Sequence, residues 1–364
     1  MIDLMRTAEL FNVEGTVLDI SPTGNGHIND TFLVSIQGEQ DRYILQRING
    51  YVFKKPEEVM ENIHHVTRFL GEKITAEGGD PRRETLTLIP TRDGSHFVVD
   101  EEGSAWRCYL CVPDTVSPEL PDAPEMLEEC GLVFGLFSRR LLDFPAETLH
   151  ETIAGFHNTP NRIRQLEEAA RENAAGRLSA VAAEMSFAEE RAKRTAGLLE
   201  KCRQGRLPTR VTHNDTKVNN VLLDRKTGKA VCVVDLDTVM PGLLAYDFGD
   251  AIRVGASTAA EDERDLSLVR LDLDKAEAFA RGYLAELGPV LGREELLSLA
   301  EGAWMMTFEC GIRFLADHLN GDVYFKIHRE NHNLDRARTQ FTLAAEIERQ
   351  MPKLEKMLLG LAAR

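Results

Sequence analysis

The run Ala230-Val231-Cys232-Val233-Val234 ends in Asp235-Leu236-Asp237, and that ending limits the architectures open to the chain. An unbroken apolar run of this length reads as a buried β-strand. Carboxylates at the end of a buried strand need a partner, because an unpaired charge out of water is costly, and a metal ion is one such partner. Twenty residues before Asp235 stands Asp215, within His213-Asn214-Asp215-Thr216-Lys217-Val218-Asn219-Asn220. Asn and Asp also favour turns, which accounts moderately well for 213–220 but poorly for acids closing a buried strand. An Asp, an Asn five residues later and a second Asp on a neighbouring strand end suit phosphoryl transfer. The first Asp can accept a proton from an attacking hydroxyl, and the Asn and second Asp can hold Mg²⁺ against the phosphates of ATP. Mg²⁺ asks for few protein oxygens, since phosphates and water supply the rest. Asp215 is therefore the candidate catalytic residue, and Asn220 and Asp235 are the candidate metal ligands. Asp237 is read as a supporting or structural carboxylate.

The chain has 364 residues, enough for two domains or one large two-lobed unit. Its formal net charge of -16 disfavours nucleic acid and anionic membrane as partners. ATP is also an anion, so its site must be locally positive or neutralised by metal. The 6 cysteines are scattered among apolar residues, as suits a reducing cytoplasm. Cys108 and Cys111 lie in a strand-like run, where positions three apart face opposite sides, so a zinc or redox pair is not expected. The start of the chain does not look like a signal peptide, and no long apolar run reads as a membrane span. A small-molecule substrate and ATP are the expected partners, and the sequence leaves protein partners open.

The first third carries strand signals at 16–20, 31–36, 42–48, 97–99 and 106–112, with a helix beginning near Pro56. They predict a small antiparallel sheet with one helix. After Pro113-Asp114 helical signals take over, near 125–142, 147–157, 161–202, 275–287, 293–319 and 336–361. Strands near 221–224 and 230–234 interrupt them. The expected class is α+β, with an N-terminal region of 1–113 and a mainly helical region of 114–364.

Between the first two strands lies Gly24-Asn25-Gly26-His27-Ile28-Asn29-Asp30, which is either a plain hairpin turn or a loop laying backbone N–H groups over phosphates. The phosphate reading marks Gly24, Asn25 and Gly26. A kinase also offers a strand lysine to the phosphates. Here Gln46 holds that alternating position, so either Gln46 contacts phosphate as a neutral donor or Arg47 reaches round. Glu309, Arg313 and Asp317 recur at helical spacing on one face. They form either a solvated ion-pair ladder or, with Tyr324 in the following turn, a polar face and aromatic ring of the kind that holds a sugar. Neither His64-His65 nor His328 with His332 has a third ligand at zinc spacing.

The ensemble resembles the aminoglycoside phosphotransferase and choline kinase superfamily, whose pattern is H-x-D-x-x-x-x-N followed by a strand ending in I-D-[FW]-[DE]. His213, Asp215, Asn220, Asp235 and Asp237 match it position by position, and Tyr246-Asp247-Phe248-Gly249-Asp250 resembles the helix start that steadies the catalytic loop. Longer strings are similar to N-acetylhexosamine 1-kinases: 24–31, 43–49, 213–217, 235–242 and 309–314. The resemblance implies a bilobal protein-kinase-like fold with ATP and Mg²⁺ as cofactors. It also implies a sugar site lined by Asn214, Asp215, Arg313, Asp317 and Tyr324. The reaction implied is phosphorylation of the anomeric hydroxyl of GlcNAc or GalNAc. Alternatives are a kinase of another hydroxyl compound, such as an aminoglycoside or amino alcohol, and a pseudokinase that only binds nucleotide. An aminoglycoside site would be strongly acidic, which Arg313 opposes.

Overall fold

In a computed structural model the described residues are 4–24, 28–38, 42–118 and 123–363. Asn25 and Gly26 lie outside them. The chain forms two compact units that are discontinuous in sequence. The first comprises Met1–Pro118, Arg140–Ala154 and Asn220–Pro241, and the second Glu119–Arg139, Gly155–Asn219 and Gly242–Arg364.

The first unit is built on a five-stranded antiparallel sheet. Its strands run Val17–Pro22, Asp30–Ile36, Arg42–Arg47, Ala105–Leu110 and Val98–Val99 in spatial order. Period-two alternation places Tyr43 and Leu45 in the core with Val34, Ile36, Trp106, Cys108 and Leu110, while Ile44 and Gln46 take the opposite face. The Ala105–Leu110 strand is buried along its whole length, so its Arg107 cannot reach bulk water. Helix Pro56–Ala76 starts with proline in its first turn, followed by Glu57 and Glu58 where the helix dipole favours acids. A second, three-stranded antiparallel sheet of Thr115–Val116, Val221–Asp224 and Ala230–Val233 completes the unit. The expected antiparallel sheet and the mainly helical C-terminal part are both present.

Several helix expectations need correction. No helix fills 147–157: a single 3₁₀ turn at Ala146–Thr148 is followed by irregular chain. There the backbone N–H of His150 donates to the Asn62 side chain at 2.8 Å, a tertiary bond that replaces a helical one. The stretch 161–202 is not one helix. Asn173 adopts a left-handed conformation that ends Thr159–Glu172, and shorter helices Ala182–Arg191 and Gly197–Arg203 follow. Conversely, helix His332–Ala362 continues through Pro352.

The second unit is helical around Arg293–Asn320, whose residues Trp304, Phe308, Ile312 and Leu315 are fully buried. Trp304 and Phe308 stack at 4.9 Å, with Phe341 of the last helix beside Phe308 at 5.8 Å. Helix Leu244–Gly255 lies against this helix with almost no side chain between the backbones. A Cβ on Gly249 would stand 2.3 Å from the Gly302 carbonyl oxygen, and one on Gly302 would stand 1.9 Å from that of Ala245. Both neighbours are backbone and cannot swing away. Gly302→Ala should therefore destabilise the protein by about 1–3 kcal/mol, the range for overpacking. Gly360→Ala, where the added methyl meets open space, should leave the unfolding midpoint unchanged or raise it. Equal midpoints for the two variants in thermal unfolding would refute the close helix approach.

Candidate active site

Strand Arg210–Thr212 of the second unit delivers the chain into His213-Asn214-Asp215. Asn214 turns through a left-handed conformation at φ 63, which Asn tolerates better than most residues. Two consecutive backbone amides converge on one buried carboxylate: His213 N–H reaches Asp247 Oδ2 at 2.9 Å and Asn214 N–H reaches Asp247 Oδ1 at 2.7 Å. The Thr216 hydroxyl donates to the Asp247 backbone oxygen. The His213 ring is held edge-on by Phe134 and Phe137, at 5.6 and 6.0 Å. Asp215 itself keeps some exposure and pairs with Lys217 at 3.0 Å. A buried, hydrogen-bonded support thus carries a partly exposed carboxylate, an arrangement open to a proton acceptor.

The first unit holds the other acidic residues. Asn220 and Asp235 stand at adjacent strand ends, where the Val234 N–H donates to the Asn220 carbonyl at 2.9 Å. Asp235 is exposed and adopts φ 62, so the chain turns sharply there. Two oxygen-bearing side chains fit the modest protein share of a Mg²⁺ shell. Among the described residues no cluster of three or more His, Cys, Asp or Glu forms a metal site.

Asp237 differs from Asp235 in environment. It is buried, and its partner is an arginine. Arg107 Nη1 donates to Asp237 Oδ1, while Asn29 Nδ2 donates to Oδ2 at 2.6 Å. Arg107 Nε also donates to Gln46 Oε1 at 3.0 Å, and Gln46 Nε2 donates to Thr31 Oγ1 at 3.0 Å. Burial opposes the Arg107 charge, but Asp237, together with Tyr109 and Asp235, outweighs it and holds the guanidinium protonated. Both ends of Gln46 are thus engaged by protein, and Arg47 pairs with Asp30. Sequence reasoning passed over Arg107. The available signal was a charge inside the apolar run 105–110.

In the second unit Glu309, Arg313 and Asp317 share a helix face but are no solvated ladder. Glu309 is buried and accepts from His157 and from the Thr159 hydroxyl, at 3.0 and 2.6 Å. Asp317 is buried and accepts the backbone N–H groups of Val323, Tyr324 and Phe325, at 3.0, 2.8 and 2.9 Å. That carboxylate folds the following turn and sets out Tyr324, which is 55% exposed. The Arg313 guanidinium lies 5.7 Å from the Phe156 ring and 5.4 Å from the Phe325 ring. His157 and Thr159, which hold Glu309, left no mark in the sequence, because their register with helix 293–320 exists only in the fold.

Burial raises the Asp247 carboxyl to about 6, against the opposing effects of His213 and of the two amides. Its folded value lies above its ordinary 3.8, so the stability it adds is complete at low pH and disappears as pH rises through about 6. Compared with Asp247→Asn, which does not titrate, the wild type should gain about 1–2 kcal/mol between about pH 7 and pH 5. Urea unfolding of both proteins at the two pH values measures this gain. A constant difference would mean that Asp247 titrates as an ordinary surface acid.

Residues 19–287 match the model of the phosphotransferase enzyme family, well over half of the chain. Solved structures share the fold at low identity. An aminoglycoside phosphotransferase from Alicyclobacillus acidocaldarius subsp. acidocaldarius DSM 446 has 12% identity and a TM-score of 0.66 over 99% of this chain and 97% of that one. A microcompartment-associated aminopropanol kinase has 16% identity and a TM-score of 0.64, over 97% and 98% of the two chains. Spectinomycin phosphotransferase, solved with ADP and spectinomycin, has 13% identity and a TM-score of 0.53, over 96% and 98%. The chain belongs to the phosphotransferase enzyme family and has its kinase-like fold.

Proposed function

We propose that this protein transfers the γ-phosphoryl group of ATP to the anomeric hydroxyl of an N-acetylhexosamine, GlcNAc or GalNAc, giving the sugar 1-phosphate and ADP. The observation that carries this reading is the surroundings of Arg313. A cation flanked by the rings of Phe156 and Phe325, beside a turn presenting Tyr324, offers both directed donors and apolar faces. A pyranose has matching oxygen acceptors and apolar ring faces. Asn214 and Asp317 complete the proposed acceptor-binding set, Asp317 chiefly by holding the turn. A polycationic aminoglycoside would meet repulsion from Arg313.

Asp215 takes the proton of the anomeric hydroxyl as its oxygen bonds to the γ-phosphorus, and the bond from that phosphorus to the β-bridging oxygen breaks with ADP leaving. An anomeric hydroxyl is more acidic than an ordinary alcohol, so orientation is a large part of the task of Asp215. Asn220 and Asp235 would hold Mg²⁺, which when bound neutralises charge on the phosphates. Gly24, Asn25, Gly26, Gln46 and Arg47 are the proposed nucleotide-side residues. The free state of all the cysteines suits the reducing cytoplasm, where ATP is abundant. Among the described residues no helix is long and apolar enough to cross a membrane.

A coupled ADP-release screen over free hexoses, N-acetylhexosamines, aminoglycosides, amino alcohols and choline tests the assignment. Turnover should be greatest with an N-acetylhexosamine, and Asp215→Asn should lower it about 10²–10⁴-fold while the fold survives. Preference for an aminoglycoside or an amino alcohol would replace the sugar reading, and absence of turnover with every acceptor would favour a nucleotide-binding pseudokinase. Near-normal kcat in Asp215→Asn would remove Asp215 from the base role.

Arg313→Ala separates a sugar contact from a surface residue. Losing a hydrogen bond to a charged group costs roughly 1.5–3 kcal/mol, so the sugar KM should rise about tenfold to more than a hundredfold. The KM for ATP should hardly move. An unchanged sugar KM and kcat/KM would leave Arg313 without a role in the acceptor site.

A further inference from the structure

The first unit joins three pieces of chain through one buried acid. Arg107, on the Ala105–Leu110 strand, and Gln46, on the Arg42–Arg47 strand, are direct partners in the sheet register, and Thr31 is the partner of Gln46 on the next strand. A row of hydrogen-bonded polar side chains therefore crosses three strands of the sheet, and it ends on Asp237. On its other oxygen Asp237 holds Asn29, and Asn29 Oδ1 in turn accepts the Asn49 N–H at 2.9 Å. The Asp237 backbone oxygen accepts the Thr152 hydroxyl at 3.1 Å. Both carboxylate oxygens of Asp237 thus have protein donors, while Asp235 two residues earlier is exposed.

We propose that Arg107 is a positioning residue for the turn that carries Asp235. Through Asp237 it fixes the turn that presents Asp235 to the metal, and through Asp237 it ties Asn29, just before the Asp30–Ile36 strand, to that turn. The inference rests on the kinase reading, with Asn220 and Asp235 as the metal ligands. Arg107 is only 1% exposed, so it acts through Asp237 and not on the phosphates themselves. Asp237 is correspondingly a structural anion and not a metal ligand. A lysine at 107 would keep the charge but lose the second directed donor to Gln46, because the guanidinium offers a fork and the ammonium a single head.

The test uses the full chain and reads ADP binding by calorimetry, with Mg²⁺ and with EDTA in its place. Removing either charge alone would strand the other in the interior, so the informative variant is Arg107→Met with Asp237→Leu, which removes both at similar volume. The wild type should bind MgADP about tenfold or more tightly than ADP in EDTA, and the double variant should narrow that ratio to within about threefold. A role confined to packing would change the unfolding midpoint and leave the ratio intact. Asn29→Ala, with Arg107 and Asp237 still paired, should narrow the ratio by about threefold while lowering the midpoint, because Asp237 loses one donor. A folded double variant with the wild-type ratio would overturn the proposal, and if the double variant does not fold, an unchanged ratio in Asn29→Ala does so. Failure of the wild type to bind MgADP would bring down the kinase reading along with it, whereas a wild type that binds and variants that match it would sink this inference alone.

Discussion

A carboxylate taken out of water must find donors in the protein, and the candidate site is organised around acids that have done so. Asp247 draws in the amides of His213 and Asn214. Asp237 draws in Arg107 and Asn29. Asp317 gathers three successive amides of the turn after its own helix. Each of these buried acids is short on its side chain and fixed by several bonds, and each dictates the path of a loop. Leaving such a group without its donors costs far more than one such bond contributes, so the loops have little freedom to take other paths.

The groups with proposed chemical roles stand on the stretches of chain that these anchors hold. Asp215 follows the residues clamped by Asp247, Asp235 precedes Asp237, and Tyr324 sits within the turn held by Asp317. Anchor and reactive residue differ in exposure. Asp235 is exposed where Asp237 is buried, and Asp215 is partly exposed where Asp247 is buried. The left-handed conformations at Asn214 and Asp235 accomplish the change of direction between them. Non-glycine residues in that region carry strain of about 1–3 kcal/mol each, which the neighbouring bonds offset.

In the second unit this arrangement depends on backbone contact between helices. Gly249 and Gly302 let helix Leu244–Gly255, which carries Asp247, rest on helix Arg293–Asn320, which carries Glu309, Arg313 and Asp317. The clamp for the loop that bears Asp215 and the proposed acceptor face are therefore mounted on two helices with almost no compressible side chain between them. Interiors packed at this density transmit a displacement instead of absorbing it.

The class of chemistry and the sheet were legible in the linear order of residues. The spacing of Asp215, Asn220 and Asp235 pointed to phosphoryl transfer, and the strand signals at 31–36, 42–48 and 106–112 indicated the sheet, because both are short-range patterns with a direct physical meaning. Helix limits read less well. Asn173 ended a helix in the middle of an Ala/Glu/Arg-rich run, and the Asn62 side chain took over a backbone bond near His150; neither competition shows in local propensity. The pairings of Arg107 with Asp237 and of Glu309 with His157 and Thr159 belonged wholly to the tertiary structure. Composition can say that a charge inside an apolar strand needs a partner. Which residue answers it depends on positions more than a hundred residues apart in the chain, and only the packed fold brings them within hydrogen-bonding reach.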